Sequence, residues 1–290
     1  MLRFALRSLI ADGRRAAMTA LAVVVGVSMI TGTFVFTDTI NSAFRQLFSN
    51  ASKGADLVVS SQQDITSAIN APANLPVSLI KKIRRLPGVS TAQGQISDVA
   101  TIVGRGGRIV KSTGLPTLAL SYLPPPFSGL TFAAGTRPSG PDEVAIDAAT
   151  AQRQGYRVGD LVPIVTSQPV RRFRISGIAS LGSASTGGAT FAVFSLATAR
   201  SLYGKAGRAD IVYVAAAKGV TASTLLREVR PLLSPELVAR TTQGQVDANA
   251  SRVSAQLGIL TGGLLAFGFL AVLVGAFVIF NTFSITITQR

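Results

Sequence analysis

The stretch LGILTGGLLAFGFLAVLVGAFVIFNTF, Leu257–Phe283, decides how the rest of the chain is read. No charged residue falls between Arg252 and Arg290. A bilayer core takes ~20 apolar residues of helix, so this run spans it with room for tilt. A long helix in a water-soluble protein keeps a polar face, and this one is apolar all round. It is read as transmembrane helix 2, residues 257–283. Ala16–Thr37 is another uncharged run, read as transmembrane helix 1 over residues 16–37. Ahead of it, residues 1–15 place Leu2, Leu6, Leu9 and Ile10 at helical spacing among Arg3, Arg7, Arg14 and Arg15. This is the pattern of an amphipathic helix whose arginines reach lipid phosphates. A cleaved signal peptide would have a shorter apolar region, about 7–15 residues. Small residues at four-residue spacing, Ala22/Gly26 and Ser28/Gly32 in the first span and Gly258/Gly262 in the second, are where another helix is expected to approach.

Topology follows from the flanks. Four arginines before the first span put the N-terminus in the cytoplasm, and two crossings return the chain there at Arg290. Residues 38–252 are then extracytoplasmic. That segment is itself basic, which is no conflict, because long translocated domains escape the positive-inside rule. The whole chain of 290 residues is long enough for one sizeable folded domain besides the spans. With 14% charged residues and a mean hydropathy of +0.43, it is too apolar for an ordinary soluble protein. A net charge of +15 would suit nucleic acid. The charge is scattered, however, and no nucleic-acid partner is expected; membrane lipids with anionic headgroups suit it better. The absence of Cys and His removes disulfides, thiolates, the commonest general base and the commonest metal ligands.

Within the exterior segment, Ile40, Phe44, Leu47 and Phe48 share a helical face, so the first span is expected to continue outward as a stalk over 39–52. Ala55–Ser60 reads as a strand. Pro76 opens a helix with an apolar stripe of Leu79, Ile80, Ile83 and Leu86 and a basic face of Lys81, Lys82, Arg84 and Arg85, read as solvated. Leu86-Pro87-Gly88-Val89 stops it. Ile96–Val103 and Arg108–Ser112 flank Gly104-Arg105-Gly106-Gly107, a hairpin signal. Short strands and turn-rich runs follow, with Arg172-Phe173-Arg174-Ile175 alternating as a half-buried strand does, and Ser180–Ala189 reads as a mobile loop. A strand at Asp210–Ala215 and a helix from Thr221 with Leu225, Leu226, Val229 and Leu233 on one face return to the earlier style. A polar helix over 243–256 then feeds the second span. The predicted fold class is a membrane protein with α-helical spans plus an α+β extracytoplasmic domain of two lobes. An α/β lobe, about 54–114 and 208–241, carries an inserted β-rich lobe, about 115–207.

The search for chemistry gives little. A phosphate-cradling loop needs G-x-x-x-x-G-K-[ST], and neither Lys111-Ser112 nor Gly204-Lys205-Ala206 fits it. Asp142, Glu143 and Asp147 are the nearest thing to a carboxylate group. Glu143 and Asp147 would share one face of a strand, as a hydrolase could use, but no base or nucleophile accompanies them, and a solvated turn and strand edge is the plainer reading. No catalytic, cofactor-binding or metal-binding residue is therefore assigned, and no cofactor is expected.

Four stretches in order carry a resemblance. They are Leu6-Arg7-Ser8-Leu9 with Arg14-Arg15 and Leu21–Val27; Leu86-Pro87-Gly88-Val89; Gly135-Thr136-Arg137-Pro138 with Asp142–Asp147, Gly155-Tyr156-Arg157-Val158-Gly159-Asp160 and Phe173–Ile178; and Phe280–Ser284 with Gln289-Arg290. In this order the chain resembles the FtsX-like, MacB-type permease subunits of ABC transporters. The resemblance implies a periplasmic core domain of two lobes between two spans, in a multi-pass protein of the inner, cytoplasmic membrane. It further implies a separate cytoplasmic ABC ATPase subunit that docks on the segment after the second span, whose start would be residues 284–290, where the chain is expected to be interrupted. A permease dimer, and hydrophobic, lipid-like, peptide or lipoprotein cargo, come with it. ATP hydrolysis would belong to the partner and not to this chain. From the residues alone, a two-span sensor with an extracytoplasmic ligand-binding domain, or a membrane-tethered exterior enzyme, fits the same layout.

Overall fold

The computed structural model describes residues 13–62, 75–110, 117–181 and 190–288. The amphipathic start expected over 1–15 lies mostly outside them, as do most of the loop expected over Ser180–Ala189 and the chain's last two residues. The chain divides into a helix pair, Met1–Phe44 with Asn249–Arg290, and an exterior unit, Arg45–Ala248.

Helix α1 runs Gly13–Ala51 without a break. Within it and the last helix, the most apolar windows long enough to cross a membrane are Val23–Ala43 and Thr261–Asn281. Only 11% of each window is buried, whereas a core helix of a soluble protein would be covered. Phe34, Phe36, Phe267 and Phe277 all face outward, as lipid-facing side chains do. The two helices meet at Gly26 and Gly268. A Cβ on Gly26 would lie 2.8 Å from Val272 Cγ2, and one on Gly268 would lie 2.8 Å from Ile30 Cγ1. Further along, Thr37 and Thr261 share a hydroxyl hydrogen bond of 3.4 Å, and the Ser254 hydroxyl donates to Asn41 Oδ1 at 2.7 Å. Thr33 and Thr37 also donate to the carbonyls of Met29 and Thr33, so polar groups in an apolar setting are satisfied. Of the glycines at the expected small-residue positions, Gly26 makes a close helix contact. Added Cβ atoms on Gly32, Gly258 and Gly262 would meet nothing within 4 Å among the described residues. Spacing alone names a small face, and only the partner helix's rotation decides which face is used.

The exterior unit has two lobes. In chain order its elements are β1 (Leu57–Ser61), β2 (Leu75–Pro76), α2 (Val77–Arg84), β3 (Val89–Gln95), β4 (Ser97–Ile102), β5 (Thr117–Ser121), β6 (Leu130–Gly135) and β7 (Glu143–Asp147). There follow α3 (Ala148–Gln154), β8 (Leu161–Val165), β9 (Arg171–Leu181), β10 (Phe191–Phe194), α4 (Leu196–Leu202), β11 (Arg208–Ala209), β12 (Ile211–Ala216), α5 (Ala222–Val229), β13 (Leu237–Thr241) and α6 (Thr242–Thr288). The first lobe is an antiparallel sheet in the order β13-β1-β12-β3. Leu57, Val59, Val212 and Val214 pack under the apolar stripes of α2 and α5, through Leu79, Ile80, Ile83, Leu225 and Val229. Val58 and Tyr213 point to the opposite face and meet Leu123 and Phe127, as the two-residue period of a strand requires. Arg84 donates to the Ala92 carbonyl at 2.6 Å and to Gln93, which occupies a polar group of β3, the strand at the end of this sheet.

The second lobe is a closed barrel. Its strands run β9-β7-β10-β5-β4-β8 and return to β9, because β8 pairs with both β4 and β9; β6 adds to β9 outside the ring. Ile96, Ile102, Val144, Ile146, Val162, Ile164, Phe173, Ile175 and Phe194 fill it. The expected hairpin signal is a turn, with Gly104 N–H donating to Arg108 O and Val103 bridged to Ile109.

The pairing moves one expected boundary. Strand β3 belongs to the first sheet and β4 to the barrel, so the chain changes lobe at Ile96 rather than near residue 114. Residues 89–102 read as one alternating strand, and alternation does not say which neighbours accept its hydrogen bonds. The chain re-enters the first sheet at β12.

Candidate functional site: the lobe crossover and the turns around it

The three carboxylates picked out in sequence are all engaged structurally. Asp142 pairs with Arg171 at 2.6 Å. Glu143 accepts hydrogen bonds from Gly140 N, Ser139 N and Ser139 Oγ, at 2.9, 2.8 and 3.0 Å. Those bonds, the one from Gly140 first, hold its carboxyl below the ordinary glutamate value. Asp147 is buried, caps α3 by accepting from Thr150 N at 2.7 Å, and accepts from Phe191 N through its second oxygen. These groups close a turn, a helix end and a sheet seam. Among the described residues no three His, Cys, Asp or Glu side chains gather as a metal site.

The buried charges lie elsewhere. Lys205, just after α4, is 6% exposed and Asp98, on β4, is 7% exposed. Lys205 Nζ reaches Asp98 Oδ2 at 2.8 Å and both oxygens of Asp210 at 2.9 Å. Asp210 lies between β11 and β12, where the chain re-enters the first lobe, and it also accepts from Ser97 N at 2.9 Å. The backbone N–H of Asp210 donates to Gln95 O. Asp210 therefore ties the re-entering chain to residues on either side of Ile96, and Lys205 joins it to Asp98 on β4. Burial pushes the Asp210 carboxyl up, against the lowering effects of the Ser97 N–H and Lys205. Lys205 therefore acts as a buried structural ion-pair partner shared by two carboxylates. Sequence reading used Lys205 only to reject a phosphate loop. The missed signal was Asp98, which shares the phase of Ile96, Ala100 and Ile102 and so puts a charge on the core side of β4.

The motif turns are positioned just as tightly. In Leu86-Pro87-Gly88-Val89 the Gly88 N–H donates to Glu228 of α5, and a Cβ there would meet that carboxylate at 2.6 Å. In Gly155–Asp160, Tyr156 donates its hydroxyl to Val103 O at 2.8 Å, and Asp160 accepts from Arg157 N and from Arg105. At Gly135, φ is +71° and a Cβ would fall 2.2 Å from Ser176 O, so only glycine fits.

Residues 16–232 match the MacB-like periplasmic core domain family. The chain belongs to that family. The MacB-like domain here lies between two candidate membrane spans, and the protein is a membrane protein of the MacB/FtsX permease type. In fold, it is similar to the periplasmic region of MacB from Actinobacillus actinomycetemcomitans, at 11% identity and TM-score 0.51, covering 70% of this chain and 94% of that one. The extracellular domain of the noncanonic ABC-type transporter YknZ from Gram-positive bacteria aligns at 11% identity and TM-score 0.45, over 63% and 98% of the two chains. A permease-protein domain from Porphyromonas gingivalis aligns at 15% identity and TM-score 0.41, over 66% and 89%. No curated protein matches the sequence. The turns that carried the resemblance thus prove to be structural punctuation of the MacB-like domain.

Proposed function

We propose that this chain is a permease subunit of a MacB/FtsX-like ABC transporter, coupling ATP hydrolysis by a cytoplasmic partner to motion of its exterior domain. The work done is export or extraction of lipid-like, peptide or lipoprotein cargo, by a permease dimer in the cytoplasmic membrane with its N-terminus inside. The observation that carries the reading is how directly the helices join the MacB-like domain. Helix α1 ends at Ala51, six residues before β1 begins at Leu57, and α6 starts directly after β13. Strands β1 and β13 are paired neighbours. Thr242 donates its hydroxyl to Ala55 O at 2.6 Å and its N–H to Asp56 O at 3.0 Å. A displacement of either helix root would reach this strand pair through a short connection over residues 52–56 or directly at Thr242.

The test is co-purification of the natural protein from its own membranes, with ATPase activity measured in nanodiscs. The expected result is an ABC ATPase bound in stoichiometric amount. A kinase or methyl-accepting partner instead would support the sensor reading. Topology is checked on the cysteine-free chain by single substitutions. Lys218→Cys should react with an impermeant maleimide in intact cells and Ser8→Cys only after lysis; the reverse pattern contradicts the proposed orientation.

A further inference from the structure

Among the described residues of the exterior unit, the large hydrophobic side chains that stay exposed are Ile109, Val158, Leu161, Val165 and Val170. All five belong to β8 or to segments that flank it. The outer face of β8 is apolar along its length, with Leu161, Pro163 and Val165 outward while Val162 and Ile164 are fully buried inside the barrel. Soluble surfaces rarely gather such residues without a use for them. Directly across the strand pair, Leu161 is opposite Arg174 and Pro163 is opposite Arg172. Both arginines are exposed, and Phe173 between them points inward. At the head of the stripe is a shallow depression of about 280 Å³ lined by Gly104, Arg105, Tyr156, Leu161, Pro163 and Arg172.

The nearby acidic groups are already engaged. Asp160 takes Arg105, Asp142 takes Arg171, and Glu143 closes the Ser139–Gly140 turn while lying opposite Arg174 on β7. Arg172 has no carboxylate partner among the described residues. The charge left over on this face is positive, beside an apolar stripe one strand wide. Leu161 to Val165 covers ~13 Å at the rise of a strand. That is the footprint of an acyl chain; a stable protein interface needs about 800 Å² on each side.

We propose that the β8 face, with Arg172 and Arg174, binds a single lipid-type amphiphile, its chain along Leu161–Pro163–Val165 and its phosphate or carboxylate head at the arginines. The assignment deepens the cargo class proposed above, and only its role in transport rests on that reading. Binding itself needs no ATPase, so failure of either claim is seen separately. The full chain in nanodiscs of zwitterionic lipid is exposed to dodecyl phosphate bearing a photoreactive diazirine, and adducts are mapped by mass spectrometry. Labelling is expected within residues 156–174. The pair Leu161→Asn and Val165→Asn should reduce it about ten-fold, the scale of a 1.4 kcal/mol loss, and Arg172→Gln with Arg174→Gln should reduce it several-fold. The phosphocholine analogue of the same chain length should label weakly. Because every substituted side chain is exposed, an unchanged far-ultraviolet spectrum will show that the fold survives. Labelling confined to α1 and α6, equal labelling by the phosphocholine analogue, or indifference to the arginine changes overturns the proposal. So does loss of a dimer in the Leu161→Asn, Val165→Asn chain, which would assign the face to a second protein.

Discussion

Lys205 is a residue whose removal leaves its partners worse off than if all three charges were absent. Asp98 and Asp210 would face one another across the lobe crossover with no cation between them. Lys205→Met is expected to destabilise the exterior unit by about 3–5 kcal/mol, the range for breaking a buried pair from one side. Adding Asp98→Leu and Asp210→Leu should recover most of that loss, and denaturant unfolding of the chain in detergent measures both; a neutral single change contradicts the clasp. The two shifted carboxyls have opposite signs. Asp210 is raised by burial, so its contribution favours the fold below its unfolded value and is lost as pH rises through the folded one. Glu143 is lowered by its three donors, so its contribution is present above the unfolded value and is lost as pH falls through the folded one. The amide resonances of Ser139 and Gly140 should titrate with a midpoint below 4.5, the ordinary value, and Glu143→Gln should abolish that step. A midpoint at or above 4.5 would rule out the three-donor arrangement. At this scale the sequence was half legible, since Asp98 declared itself by its phase while the lysine that meets it lies far along the chain.

At the scale of elements, the spans could be read directly and their contact could not. Apolarity over a bilayer's length is a property of one helix, but a close crossing needs two helices in a given rotation. Gly268→Leu would drive a side chain into Ile30 and the Gly26 carbonyl and part the helices, whereas Gly258→Leu would meet no described residue. Disulfide trapping of a Thr37→Cys, Thr261→Cys pair reads the difference. The first change is expected to abolish trapping and the second to leave it near the parent's yield; equal yields would place the crossing elsewhere. The helix caps show the other side. Asp147 stands at the start of α3 as a capping residue should, and Asp147→Ala is expected to cost about 2–4 kcal/mol. That is ~1 for the cap plus about 1–3 for the buried Phe191 N–H left unbonded. The cap follows from local sequence, while the Phe191 bond depends on a strand 44 residues away.

Across the whole molecule, the proposed coupling depends on α1 and α6 staying continuous as far as the strands they adjoin. Ala248→Pro, inside α6, would interrupt the helix at about 3 kcal/mol while leaving the apolar window Thr261–Asn281 untouched. The variant is expected to insert and to retain the ATPase, yet lose stimulation of ATP hydrolysis by cargo. Ala248→Ser is the control, and stimulation intact in the proline variant would remove the lever from the mechanism. Sequence alone determined the membrane class, the two spans around one exterior domain, the family and the two-lobed plan. Each of those rests on local pattern: hydropathy over a window, charge at a flank, turn residues at fixed offsets. Only the tertiary structure decided that the inserted lobe is a closed barrel, that it begins at Ile96, that Lys205 ties its entry to its exit, and that β8 turns an apolar face outward beside the arginines of β9. Those features depend on which distant strands share hydrogen bonds. A strand's alternation fixes the two faces of its residues but not its neighbours.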